Sequence, residues 1–112
     1  MSEPKPASNR RRSIRRRPRG KVRVCCYKGS FDLGHNLAVS LLDLSDIGAR
    51  LIVKAELKPG QEVFLIVEVP HYIHPVRLPA TVVWCRPESE GTFCIGADFQ
   101  KRMEYLDLQN LT

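Results

Sequence analysis

The stretch TFCIGADF, residues 92–99, alternates without a break: Phe93, Ile95, Ala97 and Phe99 fall on one side of an extended backbone, Thr92, Cys94, Gly96 and Asp98 on the other. A period of two cannot bury one face of a helix, so it commits this segment to a sheet, and much of the chain repeats it. VRLPATVVWCR at 76–86 puts Val76, Leu78, Ala80, Val82 and Trp84 on one face and Pro79 on the other, where a proline implies a sheet edge or a bulge. EVFLIVEV at 62–69 is rich in β-branched residues and follows KPGQ, a turn sequence with Pro59 and Gly60 in place. VRVCCYK, LAVSLLDL and ARLIV supply three further strands. A brief amphipathic helix after Gln100, with Met103, Leu106 and Leu111 inward, completes the pattern. The expected fold class is all-β, a six-stranded antiparallel β-barrel with a short C-terminal helix. At 112 residues the chain has the size of one such domain.

The N-terminus breaks the pattern. MSEPKPASNR is polar, with two prolines and almost nothing to bury, and it runs into RRSIRRRPRG. Residues 1–20 are therefore expected to be a disordered basic N-terminal arm, and 21–112 the barrel with its helix. The formal net charge of +6 divides accordingly. Residues 1–23 carry ten cations and one acid, whereas residues 24–112 carry eight cations and eleven acids, so the body is mildly acidic and the basicity is local. A groove that tracks a nucleic-acid backbone usually spreads its positive charge over a folded face. No stretch of about 20 apolar residues is present and the N-terminus lacks the apolar segment of a signal peptide, so no membrane insertion and a cytoplasmic location are expected.

Several chemistries find no support. Cys25 and Cys26 are adjacent, and Cys85 and Cys94 lie far downstream, which is neither a zinc spacing nor a secreted disulfide framework; four reduced thiols packing as small hydrophobes is the reading. His71 and His74 in PHYIHP have no third ligand in reach and read as a hairpin tip. Asp43, Ser45 and His35 make no triad, since Ser45 lacks the elbow glycines and nothing places a base beside it. Gly-rich phosphate loops, zinc motifs and paired catalytic carboxylates are missing, so no catalytic residue, metal site or cofactor is expected and the chain is read as a binding protein. Trp84 is read as core, with stacking on a base as the alternative.

Two features stand out against this background. The first is LLDLSDIGARL at 41–51, an apolar run interrupted by Asp43, Ser45, Asp46 and Gly48. It reads as a hairpin turn, Asp and Ser bonding local amides and Gly48 supplying a positive φ. Asp43 and Ser45, two apart on an extended backbone, would also aim an acceptor and a hydroxyl to one side, a pair able to read the donor edge of a purine. The second is the spacing of four between Arg11 and Arg15 and between Arg12 and Arg16. A guanidinium grips phosphate or the O6/N7 edge of guanine with two bonds and stacks flat on a base, neither of which lysine does as well.

RRRSIR at 10–15 followed by DLSDIG at 43–48 resembles the PilZ domain family, whose signature is RxxxR in an N-terminal arm and [DN]xSxxG on a β-barrel. CIGADF at 94–99 is similar to the family's closing strand and ATVVWCR to the strand before it, so the resemblance runs from about Arg10 to Lys101. It implies a bacterial receptor for the second messenger cyclic di-GMP, with the arm disordered until it folds over the ligand. It also implies arginines on phosphates and guanine edges, and the Asp and Ser of the second motif on a guanine base. The residues so implied are Arg10, Arg11, Arg12, Arg15 and Arg16 in the arm, Asp43, Ser45 and Gly48 in the hairpin, and Gly96, whose bare outward face would admit a ligand or mark a bulge. Arg11 with Arg15 is the register that best reproduces the family's local pattern, and an arginine at Arg10 goes in the family with a stacked pair of ligands. The output would be a new surface read by a protein effector whose identity the sequence does not give. Two rivals remain: a barrel whose arm grips nucleic acid, for which the eight aromatics offer no platform interleaved with the arginines, and a PilZ-like adaptor that has lost its ligand.

Overall fold

The computed structural model describes residues 14–18, 20–29 and 34–112. Six strands form in chain order: β1 Arg23–Lys28, β2 Ala38–Leu44, β3 Gly48–Val53, β4 Glu62–Val69, β5 Tyr72–Ser89 and β6 Thr92–Phe99. All pair antiparallel in one sheet of order β1-β4-β5-β6-β3-β2, which curls so that its two edges approach. Where they meet, Leu37 N donates to Cys26 O (2.8 Å), and Asn36 Oδ1 accepts from the amides of Cys26 and Ala38 (2.9 Å each).

The inner faces are the ones alternation selects. Val24 and Cys26 of β1, Val63, Leu65 and Val67 of β4, Val76, Leu78, Ala80 and Val82 of β5, and Ile95 and Ala97 of β6 are all buried in one core. Pro79 occupies the place its chemistry requires. It lies opposite Phe64 of β4, and on its other side β6 has ended, so its carbonyl accepts from Gln100 N (2.9 Å) while the amide it lacks is not needed by a ladder.

Trp84 departs from the expected pattern. The β5–β6 register shifts between Val82 and Trp84, leaving Val83 as an extra residue. One inserted residue turns every following side chain to the other face, so Cys85 packs against the core and Trp84 goes outside, opposite Gly96. The indole lies on that glycine: a Cβ there would sit 2.3 Å from Trp84 Nε1 and 2.4 Å from Cε2. The group that approaches the bare face of Gly96 is thus a side chain of this protein. Arg86 covers the indole in turn, its guanidinium carbon 4.5 Å from the ring centroid.

The terminal helix, α1 Tyr105–Leu111, also differs in detail. Met103 and Leu111 are buried as expected, but Leu106 is exposed and Leu108 takes the inward position. The β4–β5 hairpin fixes this choice, because Tyr72 Oη donates to Asp107 Oδ1 (2.7 Å) and His71 Nε2 donates to the Asn110 carbonyl (2.9 Å). His71 stands at the hairpin tip, whereas His74 belongs to β5 and meets Tyr72 edge-on at 6.1 Å. Among the described residues no three His, Cys, Asp or Glu side chains gather as metal ligands, and no helix is long and apolar enough to cross a membrane. The four thiols are free.

Two outcomes test this packing. Gly96→Ala should cost about 1–3 kcal/mol, the usual range for overpacking, seen as a lower denaturant midpoint with red-shifted Trp84 emission as the indole is pushed off the sheet. Burial, with a smaller contribution from Cys25, raises the Cys26 thiol from 9.0 to about 12. The unfolded thiol releases its proton first, so this contribution to stability is complete below about pH 9 and is lost as the pH rises toward 12. Denaturant midpoints should fall across that window, and the fall should be shallower in Cys26→Ala.

Candidate functional site

The DLSDIG segment is a hairpin turn. Leu44 closes β2 and Gly48 opens β3, Ser45 N donates to Gly48 O (2.8 Å), and Ile47 N donates to Ser45 Oγ (3.2 Å). Ser45 is consequently 1% exposed, its hydroxyl turned onto the local backbone. Gly48 serves a different purpose from the one expected. Its φ is not positive; what excludes a side chain is the neighbouring strand, since a Cβ would lie 2.6 Å from the Ala97 carbonyl oxygen. The glycine lets β3 and β6 come together directly beside the turn.

Register then builds the polar centre. Pairing outward from the turn sets Leu44 opposite Ala49 and Asp43 opposite Arg50. Asp43 is 6% exposed, and a carboxylate so placed needs partners. Arg50 supplies two bonds to one oxygen, Nε to Oδ2 at 2.8 Å and Nη2 to Oδ2 at 2.5 Å. Hydrogen bonding to Asp43 raises the Arg50 pKa, fixing it as a cation. The other oxygen is taken from outside the barrel, with Arg15 Nη1 donating to Oδ1 at 3.1 Å.

Arg15 reaches Asp43 because the arm lies along the free edge of β2. Arg16 N donates to Leu44 O (2.8 Å) and Leu44 N to Arg16 O (2.9 Å), a single antiparallel bridge. At residues 14–18 the arm's backbone thus answers the unpaired groups of an edge strand. Arg10, Arg11 and Arg12 lie outside the described residues, so the Arg11–Arg15 register is represented by Arg15 alone.

Between arm, β1 and β2 is a cavity of about 890 Å³, within the roughly 300–1,000 Å³ of small-molecule sites. Arg15, Arg16, Arg17, Arg23 and Arg50 supply its cations and Asp43 its acid, around an apolar floor that includes Val24 and Leu41. Two bulges shape it. The β2–β3 register shifts between Ala38 and Ser40 and between Leu41 and Asp43, turning Val39 and Leu42 outward, 53% and 37% exposed, into the cavity. The extra residue at Val39 falls just beyond the Asn36 tie, where the two sheet edges part.

Asp43, Arg15 and Arg16 are thus brought together with Arg50, which sequence reasoning missed. The available signal was the turn itself, since a hairpin closed at 45–48 sets residues 43 and 50 face to face. Gly96 lies opposite Arg50 on the next strand, so Asp43, Arg50, Gly96 and Trp84 form one row across the outer wall from β2 to β5. Gly96 itself is covered by the indole.

A family model described as PilZ domain matches residues 9–111, nearly the whole chain. No curated protein and no solved structure matches it. The match takes in the arm, the hairpin and the closing strand in one span, and with a curled six-stranded antiparallel sheet beneath them the chain belongs to the PilZ domain family, binding and adaptor domains for cyclic di-GMP that are generally not enzymes.

Proposed function

We propose that this protein is a cyclic di-GMP receptor that acts as an adaptor in bacterial second-messenger signalling, within the cytoplasm. The observation that carries the reading is the buried Asp43 facing a cavity with five arginines. A cyclic dinucleotide presents two phosphates and two guanines. Guanidinium groups suit the phosphates and the guanine O6/N7 edges, while a carboxylate accepts from the N–H edge of the base. Arg10, Arg11, Arg12, Arg15 and Arg16 would hold the ligand from the arm, Asp43 would take a guanine, and Ser45 and Gly48 would keep the hairpin tight beneath it.

Coupled folding and binding would be the switch. Fixing a backbone costs about 1–2 kcal/mol per residue, and residues 14–18 already lie along β2, which lowers that cost where the arm joins the barrel. The bound ligand cancels arm charge and becomes part of the surface, and a protein effector that reads only this surface is recruited or released.

Calorimetric titration of cyclic di-GMP into the full chain at about 150 mM salt should give saturable binding with no comparable heat from GTP. Asp43→Ala should weaken it by at least roughly 30-fold, the equivalent of about 2 kcal/mol for a lost charge-assisted contact. A polyanion held by the arm alone would bind the variant as well as the parent and weaken steeply with salt. Equal heats from parent and variant would remove the receptor reading.

A further inference from the structure

The two oxygens of Asp43 differ in what holds them. Oδ2 is held by Arg50, a residue of β3, which is paired on both sides, with β2 and with β6. Oδ1 is held by Arg15, a residue of an arm that is joined to the barrel here by the two backbone bonds between Arg16 and Leu44. One bond partner is built into the wall and the other can leave.

We infer that Arg50 is a positioning residue: it dedicates Oδ2 of Asp43 to the barrel and leaves Oδ1 as the exchangeable acceptor, held by Arg15 in the free protein and yielded to the base when ligand binds. The second half rests on the receptor reading, whereas the first concerns the free protein alone. Arg50 lies in neither motif of the family resemblance, and its position follows from the register of the hairpin.

The chemistry gives the inference a direction. Two donors on Oδ2 fill that oxygen, so Arg15 cannot form the two-oxygen fork that a free carboxylate would offer it. Arg50 also neutralises Asp43, so the arm arginine is attracted to a paired charge and not to a bare one. Both effects loosen the arm. Removing Arg50 should therefore tighten the arm on the barrel, which is the opposite of what loss of a purely structural ion pair would do. A tighter arm competes harder for Oδ1, and ligand affinity falls.

The test uses the full chain as parent, Arg50→Gln and Arg50→Lys, with thermal melting to establish that each is folded. Hydrogen exchange at the Leu44 and Arg16 amides, the two that form the arm bridge, is measured without ligand, and cyclic di-GMP affinity by calorimetry. In Arg50→Gln both amides should exchange several-fold more slowly and affinity should drop on the order of tenfold, about 1.4 kcal/mol. Arg50→Lys keeps a cation at Oδ2 and should return both quantities most of the way to the parent. Faster exchange at the bridge in a folded Arg50→Gln chain, or unchanged affinity beside normal binding by the parent, would overturn the inference. A parent that binds no cyclic di-GMP would defeat the receptor reading alone, and the exchange rates would still decide whether Arg50 sets the grip of the arm.

Discussion

A carboxylate that is 6% exposed organises the functional end of this molecule. Burying such a charge unpaired would cost several kcal/mol, so Asp43 requires a cation and donors for both oxygens, and the fold supplies one arginine from the wall and one from the arm. Much of the local architecture serves that requirement. The turn at 45–47 sets Arg50 opposite Asp43, and the absence of a side chain at Gly48 lets β3 lie against β6. The free edge of β2 then holds the arm where Arg15 can reach. What looks in sequence like polar interruption of an apolar run is the means by which a hairpin carries an acid.

The legible part of the fold was the part governed by period two. Val63, Leu65 and Val67, or Ile95 and Ala97, are buried because alternation leaves them no other face. Failures occurred where one residue was added. Nothing in TVVWCR marks Val83 as a bulge, yet it sends Trp84 outside and Cys85 in. Leu106 and Leu108 are equally apolar, and only the contacts of Tyr72 and His71 with the helix decide between them. Such choices are made by partners distant in sequence, which a local pattern does not contain.

The candidate site divided in the same way. Arginine spacing and the DxSxxG string were visible as strings, and Arg15 and Asp43 do meet. Arg50 was invisible because its role depends on pairing register and not on its neighbours in sequence. Gly48 and Gly96 were noticed, but for reasons of turn geometry and ligand access. In the structure something of the protein's own stands against each, the Ala97 carbonyl at Gly48 and the Trp84 indole at Gly96.

The strand order has a consequence for how the molecule comes apart. β4, β5 and β6 form a meander of neighbouring hairpins, and β1 adds to its β4 side. The β2–β3 hairpin joins that body through the β3–β6 ladder, aided by the Asn36 tie at the other edge. Phe99 N and Met103 N also donate to the Ile47 and Asp46 carbonyls (2.8 and 2.7 Å), and Leu44, Leu51 and Val53 are buried in the common core, so the hairpin cannot leave without exposing that core. Asp43, Ser45, Gly48 and Arg50 all ride on this hairpin, so the region that handles charge is bound to the stability of the core beneath it.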